Sequence, residues 1–129
     1  EQIVSAHTKD FSVNALCFTP DKKFLLTGSR DARLNIFDVQ NSFTKVDSIA
    51  AHNYAIYAIA FNPSGKLMAT ASRDKKIKIW NDDLTFLSRI EEHPAGHKNS
   101  VNTLCWLSDT ELITTGDDRC IMLWHLSAS

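Results

Sequence analysis

A histidine that recurs every 45 residues constrains this chain more than any other feature of its sequence. His7, His52 and His97 each precede a stretch of similar pattern. The three stretches read VNALCFTPDKKFLLTGSRDARLNIF, AIYAIAFNPSGKLMATASRDKKIKIW and VNTLCWLSDTELITTGDDRCIMLW. Together the three copies account for nearly all of the 129 residues. The chain must therefore fold as a small number of similar structural units packed side by side.

The second copy shows which elements one unit contains. Its segments are an apolar run over 56–61, a turn over 62–65, a short strand over 67–71, a polar turn over 72–75 and an alternating strand over 76–80. Pro63 and Gly65 favour the first turn, and the polar–apolar alternation of 76–80 predicts a half-buried strand. A fourth strand is predicted at 86–90 here and at 45–50 in the first copy. Four short antiparallel strands per period of about 40–45 residues predict the blade of a β-propeller.

The sequence resembles the WD-repeat (Trp-Asp repeat) family over all three copies. Gly96-His97 supplies the family's Gly-His pair in the third copy, and alanine replaces the glycine in the other two. The Trp-Asp pair reads Phe37-Asp38, Trp80-Asn81 and Trp124-His125, so no copy carries both letters. The resemblance implies an all-β fold of three four-stranded antiparallel blades. With strands lettered a to d along each blade, the order along the chain is d-abcd-abcd-abc.

The resemblance also implies a hydrogen-bonded set of His, Ser/Thr, Asp and Trp in each blade. By position the set is His7, Thr27 and Asp31 in blade one, His52, Thr70, Asp74 and Trp80 in blade two, and His97, Thr114, Asp118 and Trp124 in blade three. We choose the threonine because the serine two residues later becomes Gly116 in the third copy. Phe37 has no N–H to donate, so blade one is expected to be the least rigid. Because the set recurs at structural turns, we interpret it as part of the fold and not as a hydrolase triad.

Composition and charge narrow the classes of function. The chain has 43% hydrophobic and 22% charged residues, as ordinary soluble globular proteins do. It has no hydrophobic leader and no run of about 18 apolar residues, so neither secretion nor a membrane span is predicted. A net charge of −1 gives no reason to expect nucleic acid or an anionic membrane as a partner. The chain begins at Glu1 without methionine, so we expect a processed or excised piece.

The cysteines predict neither disulfides nor a metal site. Cys17 and Cys105 occupy equivalent places in blades one and three, so a whole blade separates them beyond the ~7 Å that a disulfide can span. We expect reduced, partly buried thiols and a cytoplasmic location, with the nucleus as the alternative. No CxxC or paired-histidine spacing is present, so no metal and no cofactor is predicted.

The alignment of the repeats predicts how the chain is organised. It is a single array, in which 1–6 form a strand d that completes another blade, 7–51 form blade one, 52–96 blade two and 97–129 a blade three without its strand d. Three blades cannot close around an axis, because propellers typically have four to eight. We therefore predict a two-fold homodimer with six blades, in which residues 2–5 of each copy complete blade three of the other. The alternative is that the chain is part of a longer propeller.

The resemblance implies a scaffold for protein–protein contacts, made through the face that the d–a connections and b–c turns form. By position this face carries Phe11, Asn14, Arg30, Tyr54, Tyr57, Arg73, Lys98, Asn102 and Asp117. Tyrosine and arginine often dominate binding energy, so blade two, with Tyr54, Tyr57 and Arg73, is the expected hot spot. The alternative is that Tyr57 only fills space and that the arginines pair with neighbouring aspartates.

Two other classes of function remain as alternatives. Arg30 and Arg73 lie at the same turn of adjacent blades and could read a phosphopeptide or another anion. Asp117 at the matching turn of blade three, and the aspartates beside all three positions, lower the local positive charge. A hydrolase with an active site in the channel would use Asn14, Tyr57 and Asn102, which are poor nucleophiles without an acid–base partner. We therefore predict that the chain is not an enzyme.

Overall fold

The described part of the computed structural model, residues 1, 3–6, 11–93 and 95–127, contains eleven β-strands and no α-helix. The strands are β1 (Val13–Phe18), β2 (Phe24–Ser29), β3 (Arg33–Asp38), β4 (Thr44–Ala50), β5 (Ile56–Phe61), β6 (Leu67–Ser72), β7 (Ile77–Asn81), β8 (Phe86–Ile90), β9 (Val101–Trp106), β10 (Glu111–Gly116) and β11 (Ile121–His125). A single 3-10 turn at Val39–Asn41 separates β3 from β4. None of these elements is a helix of the length and apolar character that crossing a membrane requires.

The strands form three antiparallel sheets, one for each repeat. The sheets are β1-β2-β3-β4, β5-β6-β7-β8 and β9-β10-β11, and they are blades one, two and three. The predicted all-β class of four-stranded blades, with the last blade one strand short, is confirmed. Glu1 and residues 3–6 form no strand. A strand there would need a neighbour's N–H and C=O groups, and its pairing with another blade stays a prediction.

The b–c turn of each blade depends on one aspartate. Asp31, Asp74 and Asp118 accept a hydrogen bond from the backbone N–H two residues later, at 3.0, 2.9 and 3.1 Å. The residue between is left-handed in every blade, with φ of 67° at Ala32, 72° at Lys75 and 65° at Arg119. Left-handed backbone costs free energy in a residue with a Cβ atom. The hydrogen bond to the aspartate therefore stabilises a left-handed conformation that the residue after the aspartate would not readily adopt without it.

The hydrophobic core lies between the blades and not within them. Leu26, Leu34 and Ile36 of blade one pack against blade two, on the side where Ile59, Met68 and Trp80 lie. The other side of blade two packs Ala69, Ala71, Ile77 and Ile79 against Val101 and Leu112 of blade three. Gly28 allows the first of these contacts, because a Cβ atom there would lie 2.6 Å from Cγ2 of Ile56. Each blade is a wedge whose two faces both need a neighbour.

Hydrogen bonds at the a–b turns tie blades two and three together. The amide nitrogen Nδ2 of Asn62 donates to the carbonyl of Asp109 at 3.1 Å, and the backbone N–H of Ser64 donates to its carboxylate at 2.8 Å. The indole N–H of Trp106 donates to the carbonyl of Ala60 at 3.0 Å. These bonds have specific geometry, so they fix the angle between the two blades.

Two sheet faces have no neighbour in the chain as described. We call the face that a blade turns to its predecessor the leading flank, and the opposite face the trailing flank. On the leading flank of blade one, Leu16 is 67% exposed, whereas the equivalent Ile59 of blade two is 8% exposed. On the trailing flank of blade three, Ile121 is 78% exposed, whereas the equivalent Ile77 is fully buried.

The cysteines show the same contrast between a covered and an uncovered flank. Cys17, Cys105 and Cys120 are all free thiols. Cys17 lies on the trailing flank of blade one, where blade two half-buries it and burial raises the pKa of its thiol. The expectation that Cys105 is partly buried is wrong. It occupies the equivalent place on blade three, where no further blade covers it.

Candidate functional site

The predicted side chains of blade two form one continuous hydrogen-bonded set. Nδ1 of His52 lies 2.8 Å from Oδ2 of Asp74, and its Nε2 lies 2.7 Å from Oγ1 of Thr70. The indole N–H of Trp80 donates to the same oxygen of Thr70 at 3.0 Å. A carboxylate only accepts, so Nδ1 must carry the proton, and in neutral His52 Nε2 then accepts from the hydroxyl of Thr70. The set links the d–a connection to strands b and c.

Blade three repeats this set at nearly the same distances. Nδ1 of His97 lies 3.0 Å from both carboxylate oxygens of Asp118, and its Nε2 lies 2.8 Å from Oγ1 of Thr114. Trp124 donates its indole N–H to Thr114 at 2.9 Å. The backbone N–H of Lys98 also donates to Asp118, at 2.9 Å. The imidazole, the hydroxyl and the carboxylate of this set all bond to other groups of the same blade, so the arrangement is suited to holding the blade together.

Blade one shows only part of the set. His7 lies outside the described residues. Thr27 is buried and Asp31 caps its turn, as in the other blades. Phe37 is buried at the place of the tryptophan. Because a phenyl ring has no N–H, the bond between Trp80 and Thr70 has no counterpart in blade one.

Burial and hydrogen bonding shift the ionisation of the set in blade two. Burial lowers the pKa of His52, and this effect exceeds the opposing influence of Asp74. Burial alone would raise the pKa of Asp74, but hydrogen bonds from His52 and from the backbone of Asn53 and Lys76 bring it below its ordinary value. Hydrogen bonds likewise lower the pKa of Asp118 against the effect of its desolvation. Near neutral pH the set is therefore a neutral imidazole that donates to a carboxylate.

Two of the predicted contact positions form the same pair in blades one and two. The guanidinium of Arg30 lies over the ring of Phe11 at 5.9 Å from its centroid, and that of Arg73 lies over the ring of Tyr54, also at 5.9 Å. All four side chains are exposed. Each pair joins a b–c turn to the preceding d–a connection, which are the two loops that the sequence assigned to the binding face.

Blade three replaces this pair with a polar one. Nδ2 of Asn102 donates to Oδ1 of Asp117 at 2.5 Å, and the side chain of Lys98 is exposed. Asn14, Tyr57 and Asn102 are each the second residue of the first strand of their blade. Asn14 is exposed, whereas Tyr57 and Asn102 are partly buried. The structure thus brings the nine predicted contact residues to one end of the three blades, which we call the loop face.

Comparison with known proteins decides the family. The model of the WD domain, G-beta repeat, matches residues 1–38, 43–81 and 88–125, which is most of the chain. The chain belongs to the WD-repeat family. Its three WD repeats also resemble solved propellers, although the search of curated proteins found no match.

Two solved structures show the fold that the WD repeats share. The structure of U3-55K matches 93% of the chain with a TM-score of 0.81 and 23% sequence identity. The crystal structure of the RRP9 WD40 repeats matches 93% with a TM-score of 0.80 and 24% identity. The chain covers 38% and 37% of those two proteins, respectively. At this identity the likeness extends to the fold alone.

The WD repeats contain a serine whose role the sequence analysis missed. The hydroxyls of Ser29 and Ser72, at the end of strand b, donate to the carbonyls of Ser12 and Tyr54 at 2.7 and 3.1 Å. Each bond holds the d–a connection that carries the aromatic residue of the loop face. In blade three a Cβ atom at Gly116 would lie 2.7 Å from the carbonyl of Ser100, so no side chain fits. Recurrence in the first two copies was the available signal.

A second missed position lies in strand c. Nδ2 of Asn35 donates to the carbonyl of Ala6 at 2.5 Å, and the ammonium of Lys78 donates to the carbonyl of Ala51 at the equivalent place. These carbonyls belong to the residues that directly precede the recurring histidine of the repeat. Burial lowers the pKa of Lys78. A polar residue at an inward-facing strand position was the signal in the sequence.

No metal or cofactor site emerges from the parts of the chain that the structure describes. Within them, no three His, Cys, Asp or Glu side chains lie close enough together to hold a metal ion. The histidine sets of blades two and three each contain a single carboxylate, that of Asp74 and that of Asp118.

Proposed function

We propose that this WD-repeat chain is a non-catalytic scaffold that binds a protein or peptide through its loop face. The observation that carries the proposal is the repeated arginine–aromatic pair, Phe11–Arg30 and Tyr54–Arg73. Stacked aromatic and arginine side chains present a large contact area with few freely rotating bonds, as in the energetic centres of protein interfaces. The family's usual role as an interaction scaffold supports the proposal.

The loop face is held in place before any partner arrives. Ser72 ties the carbonyl of Tyr54 to strand β6, and its Oγ accepts the N–H of Asp74 at 3.1 Å. The N–H of Arg73 donates to the carbonyl of Ala55 at 2.9 Å. Loops fixed in this way lose little conformational entropy on binding, which favours affinity.

Within the loop face, blade two is the proposed hot spot. Tyr57 follows Tyr54 by three residues and is the second residue of β5. β5 is the first strand of blade two, and the first strand of each blade is the one nearest the axis of a propeller. A selection of random 12-residue peptides on the immobilised chain would supply binding partners of defined sequence. We expect Tyr57→Ala to weaken those peptides by about 1–2 kcal/mol without changing the melting temperature.

Two control variants separate a specific effect of the Tyr57 ring from a general loss of binding. Tyr57→Phe keeps the ring and should bind nearly as wild type, and Lys66→Ala changes an exposed side chain at the opposite end of the blades. Unchanged affinity in Tyr57→Ala would remove the hot spot. Peptides insensitive to every change on the loop face would overturn the proposed function.

We also propose that the two uncovered flanks are blade–blade contacts of a larger ring. The trailing flank of blade three carries Ile121 and Leu123 at the places of Ile77 and Ile79, which are buried against the next blade. The leading flank of blade one carries Leu16 at the place of the buried Ile59. Because the internal contacts use these same positions, the trailing flank of one copy fits the leading flank of another.

A second copy would also supply the strand that blade three lacks. The outer edge of β11 has no strand beside it among the described residues. Residues 1–6 align with 46–51, which are the end of β4 and the residue after it, and this places Val4 where Ile49 and Ile90 pack in blades one and two. Two copies would thus make six blades; further blades of a longer chain are the alternative occupant.

Light scattering at micromolar protein concentration tests the dimer. The proposal predicts a mass of twice 14.5 kDa. Ile121→Asp should return the mass to that of one chain, because it buries an unpaired carboxylate in the new contact. A wild-type mass of one chain would contradict the dimer and leave the flanks to blades of a longer protein.

A further inference from the structure

Arg30 and Arg73 are held in place without an anionic partner among the described residues. Each guanidinium stacks on an aromatic ring, and neither makes an ion pair or a side-chain hydrogen bond with the described residues. A guanidinium that lies over a ring keeps its five N–H donors at its edge, where they remain free to bind. The alternative in which these arginines pair with the aspartates beside them is not seen among the described residues.

The structure shows what those aspartates do instead. Asp31 caps the b–c turn of blade one, and Asp74 binds His52 and two backbone N–H groups. The side chain of Asp74 is 3% exposed, so it faces the interior and not the arginine. Asp117 accepts from Asn102 in blade three. The carboxylates that the sequence set against the arginines are therefore engaged in the fold.

We propose that the Arg30 and Arg73 pairs bind an acidic peptide segment, with one carboxylate side chain at each guanidinium. This inference rests on the proposed function and names the chemistry of the partner. The guanidinium fork matches a carboxylate with two parallel hydrogen bonds, and the ring beneath it accepts the apolar stem of a glutamate or a neighbouring side chain.

The arrangement favours two carboxylates over one phosphate. Each guanidinium belongs to a different blade and has its own aromatic ring, so each forms a separate site for one anion. An extended peptide that crosses from blade one to blade two would meet them in turn. Lys98, the predicted contact residue of the d–a connection before blade three, is also exposed. In blade three Asp117 occupies the place of a third arginine. We therefore expect the acidic residues of the peptide to end where the peptide reaches blade three.

The test uses the full chain and peptides selected from the random 12-residue library. We expect the selected peptides to be enriched in Asp and Glu. For one of them, fluorescence anisotropy would compare the Glu form with its Gln and phosphoserine forms. Changing Glu to Gln, or Arg30→Gln or Arg73→Gln in the protein, should each weaken binding roughly tenfold. Lys66→Gln removes the same charge at the opposite end of the blades and should change binding less than twofold.

A combination of changes separates direct contact from general attraction. If one glutamate contacts Arg73, changing both partners to Gln should cost little more than changing either alone. Independent, multiplying losses for every glutamate paired with either arginine would contradict direct contact and overturn the inference.

The remaining outcomes separate this inference from the proposed function. Peptides that carry no acidic enrichment and lose binding with Tyr57→Ala but not with Arg30→Gln or Arg73→Gln would overturn the inference and leave the scaffold role standing. Binding of the phosphoserine form but not of the Glu form would show that the partner chemistry is wrong. No selected peptide, or peptides insensitive to Tyr57 and both arginines, would overturn both.

Discussion

The trailing flanks of blades two and three carry the same pattern of side chains in different surroundings. Ile77 and Ile79 of β7 are buried, whereas Ile121 and Leu123 occupy the same places of β11 and are exposed. The two sheets have the same order and register up to strand c. The difference therefore comes from what lies beside strand c, because blade three has neither a following blade nor a fourth strand among the described residues. A blade of this chain folds into its shape locally but gains most of its hydrophobic stability from the next blade.

The same comparison separates the two kinds of interaction in each repeat. The histidine sets of blades two and three are alike, although one blade is covered on both sides and the other on one. Polar sets fix the loops within a blade, and apolar flanks join the blades. Changes to the two kinds of residue should therefore have different consequences.

The largest expected effect is a difference in stability between the same substitution on the covered flank of blade two and on the uncovered flank of blade three. Ile77→Ala leaves a cavity between blades two and three and should lower the free energy of unfolding by about 2–4 kcal/mol. Ile121→Ala removes the same atoms from an uncovered flank and should cost about 0.5 kcal/mol or less in the monomer. Urea denaturation at low protein concentration compares them. Equal losses would show that the two flanks are equally covered.

The next effect compares the polar sets of blades two and one. Thr70→Val leaves the indole N–H of Trp80 and the imidazole of His52 without their shared partner, and should cost about 2–3 kcal/mol. Thr27→Val should cost less, about 1 kcal/mol, because Phe37 makes no such bond. Thermal melting of the two variants measures the difference. A greater loss in blade one would refute its predicted lower rigidity.

Acid should weaken the set of blade two through His52. The pKa of His52 is lower in the folded chain than its ordinary value of about 6.5, so the unfolded chain binds the extra proton first. The stability is complete above that value and falls as the pH drops below it, by at most about 1.4 kcal/mol per pH unit for this group. Asp74, whose pKa is also lowered, adds a loss only below its ordinary value near 3.9.

Urea denaturation as a function of pH measures this loss, and His52→Gln serves as the control because it cannot be protonated. The slope between about pH 6.5 and 5 should be smaller in the variant. A wild-type stability that rises on acidification through this range would contradict the account.

The smallest predicted effect concerns the support of the loop face. Ser72→Ala removes the bond to the carbonyl of Tyr54 and the acceptor for Asp74, and should cost about 1 kcal/mol. Exchange of the amide protons around Tyr54 should become faster, since the d–a connection loses its tie to β6. Ser64→Ala, an exposed serine in the a–b turn, is the matched control and should leave exchange at Tyr54 unchanged. Faster exchange in both variants would argue against a local role.

The sequence predicts the blades well because their signals are local. The period-two alternation, the turn residues and the recurring aspartates each act within a few residues, so strands and turns follow from them. The partners of His52 and His97 could be named because the resemblance to the family carries them over by position. The predicted burial of Cys105 was wrong because it depends on whether another blade follows.

The details of the loop face required coordinates. The sequence places Arg73 beside Asp74 and suggests an ion pair, but the fold turns Asp74 inward to His52 and leaves Arg73 to Tyr54. Ser72 and Lys78 each left a signal in the sequence, but their partners are backbone carbonyls of the d–a connection, which the sequence alone does not identify.

Hydrogen–deuterium exchange of the equivalent strands β6 and β10, which are both paired along both edges, tests the central claim most directly in the monomeric chain. The account predicts slow exchange in β6, whose blade is covered on both sides, and exchange at least roughly tenfold faster in β10, whose blade is covered on one side. Equal protection of the two strands would contradict the claim that a neighbour, and not the blade itself, provides their stability.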